Sequence, residues 1–306
     1  MKLLKRVKIQ VPASTSNLGP GFDCLGLALG LYNELTLEEY DEPGATVVEI
    51  SGEGADVLPR GADNIMVKAA SAVLAGRARG RLVFKAVNLI PPARGLGSSA
   101  AAIVAGLLAA NELFKPSALD ERALFQYAAT LEGHPDNAAP AVHGGLTLCL
   151  KKGKNVEFYA LKAHKDLCAA VCIPDFELAT SKAREVLPGT VLREAAVDNI
   201  ARAALLTPAL ERGLWADLAE ATKDSLHQPY RAPLVPGLDA ILAAARATGP
   251  CGAALSGSGP TTVALCRKGP AARRIAAAMQ AEFLKKGIKS RAMVLGIDRQ
   301  GARRVK

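Results

Sequence analysis

Apolar positions along the chain recur with two periods. Alternation at every second residue predicts strands over residues 4–11, 33–40, 46–51, 81–88, 145–151 and 156–161. Helical spacing predicts helices over 64–76, 98–113 and, after a break at Pro116, 119–131. Strands that dominate early, with helices gathered later, give an α+β order rather than a regular βαβ sheet. A basic, turn-rich stretch from Lys151 to Lys154 and a polar patch over 162–166 place a domain boundary near residue 163, dividing 1–163 from 164–306. Beyond it the pattern predicts strands over 167–173, 253–256, 261–267 and 289–295, with helices over 181–187, 195–213, 238–248 and 271–286. There is no internal repeat and no low-complexity linker.

One junction carries more chemistry than the rest. Pro91-Pro92-Ala93-Arg94-Gly95-Leu96-Gly97-Ser98-Ser99-Ala100-Ala101 runs a glycine-rich turn straight into a helix. Gly95 and Gly97 let main-chain N–H groups approach an anion, and Ser98 and Ser99 add hydroxyls. The alanine-rich helix that follows points its unpaired N–H groups and positive dipole end at the same turn, where a polyphosphate fits. Two other readings compete. One is a glycine turn with a serine cap and no ligand. The other is dinucleotide binding, because Gly95 to Ala100 formally matches GxGxxA, but Pro91 and Pro92 break the preceding strand before the glycines arrive. No GxxxxGK followed by Ser or Thr occurs, so the favoured reading is ATP bound by something other than a P-loop.

Composition narrows the picture. A chain of 306 residues, half of them hydrophobic, can bury a substantial core. The net charge of +9 could serve nucleic acid, but the basic residues are scattered, and seven Phe, five Tyr and one Trp supply no stacking platform. Anionic small-molecule substrates account for the charge equally well. The six cysteines never form Cys-x-x-Cys and mostly sit in apolar runs, as reduced core residues do. No apolar run approaches the ~18 residues of a membrane helix, and the opening MKLLKRVKIQV alternates like a strand, so neither a membrane nor a nucleic-acid partner is expected and the protein should be cytoplasmic.

Residues 90–101, IPPARGLGSSAA, resemble the ATP-binding signature of the GHMP kinases. Residues 11–29, VPASTSNLGPGFDCLGLAL, and 252–265, GAALSGSGPTTVAL, agree with it. The first of these, with LEGHPDNAAPAVHGG over 131–145, resembles the homoserine kinases in particular. The resemblance implies a two-domain α+β fold, with an N-terminal half like domain 2 of ribosomal protein S5, a ferredoxin-like C-terminal half, and the site between them. It implies ATP and Mg2+, L-homoserine as the substrate, O-phospho-L-homoserine as the product within threonine biosynthesis, and leaves room for a homodimer. The alternatives are another small-molecule GHMP kinase, such as one of the mevalonate pathway, and a catalytically silent ligand-binding member of the fold.

Roles follow from the resemblance residue by residue. Ser99 and Glu132 would ligate Mg2+, hard oxygens of the kind magnesium prefers. On residue type alone, Glu132 before Gly133 could equally be a solvated carboxylate at a helix end. Asn64 would touch adenine, although a helix cap explains it as well. Residues 91–101 would hold the phosphates. Asn17 would meet the hydroxyl, Asp23 the ammonium group, and Arg184 with Arg231 would grip the carboxylate as a guanidinium fork; Asn137 and Thr180 join this substrate side. Mevalonate kinases use an aspartate in the region of Asp136 as a base, whereas homoserine kinases dispense with one, so the role of Asp136 stays open. His134 is expected to be structural. The segment 252–260 is expected to be a flexible supporting loop.

Overall fold

The computed structural model describes residues 2–74, 76, 78–114, 119–153 and 155–306. The predicted break at Pro116 and the Lys154 end of the basic stretch lie outside them. The first half runs β1 (Leu3–Asn17), β2 (Gly21–Tyr40), β3 (Val47–Gly52), α1 (Ile65–Leu74), β4 (Arg81–Asn88), α2 (Ser98–Leu113), α3 (Glu121–Glu132), α4 (Pro135–His143), β5 (Leu146–Lys152) and β6 (Asn155–Leu161). Strands β1 and β2 pair along their length. A bulge after Pro12↔Tyr32 shifts the register to Ala13↔Leu29. That shift lets the start of β2 pair with β5 and its end with β4. Both strands run further than their alternation predicts, β1 through the motif at 12–17 and β2 from Gly21 rather than Asn33.

The second half runs β7 (Leu167–Pro174), α5 (Thr180–Glu185), α6 (Arg193–Arg212), α7 (Leu218–Ala221), α8 (Gln228–Arg231), α9 (Leu238–Thr248), β8 (Cys251–Leu255), β9 (Thr262–Arg267), α10 (Pro270–Lys285), β10 (Ser290–Gly296) and β11 (Arg303–Val305). Its sheet is antiparallel in the order β10-β7-β9-β8, the 4-1-3-2 order of a ferredoxin-like half. The other sheet has the order β11-β1-β2-β4-β3, with β5 and β6 branching from β2 and only β3 and β4 parallel. Strand β7 is buried on both faces. Leu167, Ala169, Val171 and Ile173 join the core shared with the first half, while Cys168, Ala170 and Cys172 join the core under α9 and α10. This apolar sandwiching fixes the two halves against each other, and the site lies at their junction.

Because β6 ends at Leu161 and β7 begins at Leu167, while β11 returns to pair with β1, we propose domains of 1–163 and 164–306 in which the last strand is lent back to the first. Five cysteines are buried and Cys24 is exposed. Among the described residues no helix is long and apolar enough to cross a membrane.

Candidate active site

The turn between β4 and α2 is a cradle built from alternating backbone hands. Ala93, Gly95 and Gly97 have φ of 53°, 75° and 68°. Gly97 caps α2 without any side-chain hydrogen bond, and the first helical bond runs from Ala101 N to Gly97 O, so the N–H groups of the first turn face the cradle. The glycines are also forced by packing. A Cβ on Gly95 would lie 2.2 Å from the Ser256 carbonyl oxygen, and one on Gly97 would lie 2.0 Å from Ser14 Oγ. The turn is pinned to the second half, where Leu178 N donates to Ala93 O (3.1 Å), Ser256 Oγ to Gly95 O (2.6 Å) and Thr261 N to Arg94 O (3.3 Å). The predicted flexible loop over 252–260 is thereby corrected: Cys251–Leu255 is a buried strand, and only the turn after it packs on the cradle. Ser98 spends its hydroxyl on Ile90 O (3.2 Å), while Ser99 donates to Glu132 Oε2 (2.7 Å).

The substrate side is built on the β1–β2 turn, where Asn17, Leu18 and Asp23 hold φ of 69°, 50° and 56°. Left-handed backbone costs a non-glycine residue roughly 1–2 kcal/mol, and this turn carries it at three. Contacts over-determine it. Asn17 Nδ2 donates to Gly257 O (2.9 Å), and Asn17 Oδ1 accepts from Asp23 N (2.9 Å). Asp23 Oδ1 accepts from Arg184 Nη2 at 2.8 Å. Thr180 Oγ1 lies 3.3 Å from Ser258 Oγ. Asn137 accepts from Ser14 Oγ (3.0 Å) and donates to Ser16 Oγ (3.1 Å), which fixes its amide.

One cavity of about 100 Å³ gathers most of the predicted residues: Asn17, Asp23, Asn137, Thr180, Arg184 and Arg231 meet Ser99 and Glu132 there, with the loop residues Ala93, Arg94, Gly95, Gly97 and Ser98. A larger cavity of about 840 Å³ is lined by Pro91, Pro92 and Arg94 together with Arg291 and Glu53. It has carboxylate and guanidinium groups of its own but not the glycines of the cradle or the start of α2, which line the smaller cavity and make that one the candidate site. Leu96, Ala100 and Ala101 are core residues behind the loop. Asn64 lines neither cavity. Its Nδ2 donates to Pro59 O and its Oδ1 accepts from Met66 N, which is the capping geometry.

The guanidinium fork expected from the sequence takes a different form. Arg231 is 2% exposed and directs Nε to Ala183 O (3.0 Å) and Nη1 to Gly257 O (3.1 Å) and His227 Nδ1 (3.1 Å). Arg184 directs Nε to His134 Nε2 (2.9 Å) and Nη2 to Asp23. Among the described residues, each arginine keeps one nitrogen for a ligand, Nη2 of Arg231 and Nη1 of Arg184. A carboxylate between them would receive one arm from each rather than a bidentate grip from either. Sequence reasoning did not count Ser16 or His134 among the site residues, although both line the cavity, nor Phe22 and His227, which pack against Arg231; Ser258 it had only as part of the supporting loop. His134 is not merely structural: it lines the cavity, accepts a hydrogen bond from Arg184 Nε at Nε2, and donates from Nδ1 to Glu132 O (3.1 Å). The HQPYR spacing held a signal, since His227 and Arg231 stand four apart on one face of a turn.

Burial pushes the Glu132 carboxyl up to about 7, with the Ser99 hydroxyl pulling the other way. Asp136, 2% exposed, is also pushed up to about 7, first by burial and then by the Asp23 charge, with Ser16 opposing. The sign follows from linkage. A carboxyl whose folded value exceeds its unfolded value stabilises the protein below the unfolded value, and that contribution is lost as pH rises through the folded one. We therefore expect wild-type stability to decline between about pH 4 and 7 on this account, and Asp136→Asn to be more stable than wild type at pH 8 by up to a few kcal/mol. Urea midpoints at pH 5 and pH 8 check it, since the variant's advantage should shrink at the lower pH.

The donors fit a magnesium nucleotide. Among the described residues no group of three His, Cys, Asp or Glu could hold a metal by itself. A cation here would rest on the Ser99 hydroxyl, the enclosed Glu132 carboxylate, phosphate oxygens and water, the pattern magnesium tolerates best.

Comparison with known proteins identifies the family and the fold. The family model described as the GHMP kinases N terminal domain matches residues 64–145, and the GHMP kinases C terminal model matches 206–285. A homoserine kinase of Moorella thermoacetica is 44% identical over 297 residues, covering 96% of this chain and 98% of its own. One of Nostoc punctiforme is 40% identical over 305 residues, covering 99% of each. The crystal structure of homoserine kinase from Cytophaga hutchinsonii superposes with a TM-score of 0.90 at 28% identity, over 100% of this chain and 99% of that one. L. major mevalonate kinase in complex with R-mevalonate, at a TM-score of 0.71 and 18% identity over 98% of this chain and 97% of that one, shares the fold. Matched in both halves by the family's models and along nearly its full length by homoserine kinases, this chain belongs to the GHMP kinase family.

Proposed function

We propose that this chain transfers the γ-phosphoryl group of ATP to the side-chain hydroxyl of L-homoserine, giving ADP and O-phospho-L-homoserine for amino-acid biosynthesis. The observation that carries the reading is one small cavity in which an uncapped helix start and an enclosed carboxylate meet an amino-acid clamp. The first-turn N–H groups of α2 and the left-handed turn receive the phosphates. Ser99 and Glu132 would hold the Mg2+ that, when bound, neutralises phosphate charge. Asp23 offers the anion for the substrate ammonium group. Arg184 Nη1 and Arg231 Nη2 offer one hydrogen bond each to the carboxylate. The second N–H of Asn17 Nδ2 is left for the hydroxyl, since its first goes to Gly257 O. Phosphoryl transfer through a loose transition state asks little of a base, so orientation and charge neutralisation carry the step.

An ADP-release assay over L-homoserine, L-serine, L-threonine, mevalonate and galactose tests the reading. Homoserine should give the highest kcat/KM, and faster turnover of mevalonate would sink it. The Glu132 carboxyl also predicts a pH effect. Protons compete with the cation below about pH 7, so Mg2+ affinity should weaken roughly tenfold per pH unit beneath that point and level off above it. Mg2+ titrations of the rate at pH 6, 7 and 8 read this directly, and in Glu132→Gln the dependence should be much flatter.

A further inference from the structure

Among the described residues Arg231 is the largest of the fully buried side chains, and its guanidinium is held by Ala183 O, Gly257 O and His227, of which Ala183 and His227 do not line the cavity. His227, 0% exposed, stands at the start of α8. Its Nε2 lies 2.9 Å from Gly19 O, and its Nδ1 lies 3.1 Å from Arg231 Nη1. A carbonyl only accepts and a guanidinium only donates, so the ring must be neutral, with its proton on Nε2 and its lone pair on Nδ1. Asp224 Oδ2 lies 3.5 Å from Nε2, but that oxygen already accepts from the main-chain N–H groups of His227 and Gln228. Burial holds the imidazole's proton affinity below its ordinary value, with the Arg231 charge acting the same way and the Asp224 and Asp23 charges acting against it. The ring is stacked on Phe22, with centroids 5.1 Å apart and planes at 21°, and the Arg231 guanidinium sits 5.3 Å from the same ring.

Taking homoserine phosphorylation as the activity, we propose that His227 is a positioning residue for amino-acid binding: fixed by the Gly19 carbonyl, it holds Arg231 Nη1 so that Nη2 faces the substrate carboxylate. The contact also joins two parts of the clamp. Gly19 belongs to the turn that carries Asn17 and Asp23, so the hydroxyl and ammonium contacts and the carboxylate contact are set by one chain of hydrogen bonds. Without the imidazole acceptor, one Nη1 hydrogen is left unsatisfied in a buried place, and the guanidinium recovers it only by turning away from the cavity.

Two substitutions separate this role from simple packing. In His227→Gln the amide can still donate to Gly19 O but places no acceptor where Nδ1 stands. In His227→Asn the carbonyl oxygen occupies that place and the Gly19 contact is lost. The homoserine KM of the Gln variant should rise about 10- to 100-fold, with kcat and the KM for MgATP changed by less than about threefold, and the Asn variant should stay within about fivefold of wild type. The tautomer is read in the unmodified protein from the 15N shifts of the imidazole nitrogens, which should show a neutral Nε2–H ring at pH 7.5. Equal homoserine KM in wild type and both variants overturns the proposal, as does a parallel rise in homoserine and MgATP KM. A protonated or Nδ1–H ring in the wild type overturns it too, even if a variant fails to fold. If wild type does not phosphorylate homoserine, the functional reading fails first, which is visible before any variant is made.

Discussion

Replacing Arg184 or Arg231 with leucine should raise the KM for homoserine while leaving the KM for MgATP nearly unchanged, because the carboxylate clamp and the phosphate cradle use different residues of the cavity. Loss of a charged contact to a bound carboxylate costs about 2–5 kcal/mol, much of it from the partner charge left unpaired. The two arginines should differ within that range. Arg184 has 38% of its side chain exposed, so solvent screens what is lost and its effect belongs at the lower end. Its removal also frees Asp23. Arg231 is buried and bonded to Ala183 O, Gly257 O and His227, so Arg231→Leu should lower thermal stability as well as affinity, while Arg184→Leu should spare stability. The double variant should fall short of additive, since both side chains serve one carboxylate. Steady-state kinetics with each substrate varied in turn, alongside melting temperatures, separates these outcomes.

Glu132→Gln and Ser99→Ala should act in the opposite way, lowering kcat with the fold intact. The two side chains meet at 2.7 Å at the mouth of the cradle. Each removes an oxygen that would face the cation, and loss of one well-placed charge-stabilising contact costs about 100- to 1,000-fold in rate. Glu132→Gln keeps the shape and removes the charge, so it should be the more severe of the two. Near-wild-type rates in both variants at saturating Mg2+ and ATP would show that the cation is held elsewhere.

The phosphate cradle was legible because its logic is local: glycines two apart, then serines, then an alanine-rich helix. The clamp was legible only in its residue types. That Arg231 commits three of its five N–H donors to protein groups and Arg184 two depends on His134, Asp23, Gly257, His227 and Ala183, which meet only through the packing of the two halves. Helix α4 escaped the pattern because Pro135 and Pro140 read as breakers. Pro135 stands at the start of the helix, where its missing N–H costs nothing, and Pro140 releases the Asp136 carbonyl toward Gly26, where a Cβ would lie 1.9 Å from that oxygen. The same approach explains why Gly26 stands in the early part of β2, where a larger residue would have kept the strand pattern. Strand β11 is three residues within a basic tail and is placed by pairing with β1, a partner almost the whole chain away in sequence.

The central claim is that the cavity recognises an amino acid and not merely an alcohol. It is tested most directly by comparing kcat/KM for L-homoserine with that for 3-amino-1-propanol, which keeps the hydroxyl and the ammonium group and lacks the carboxylate. In wild type homoserine should be preferred by at least about 30-fold, and in the Arg184→Leu, Arg231→Leu double variant most of that preference should disappear. Equal use of the two compounds by wild type, or a preference unchanged in the double variant, would contradict the account.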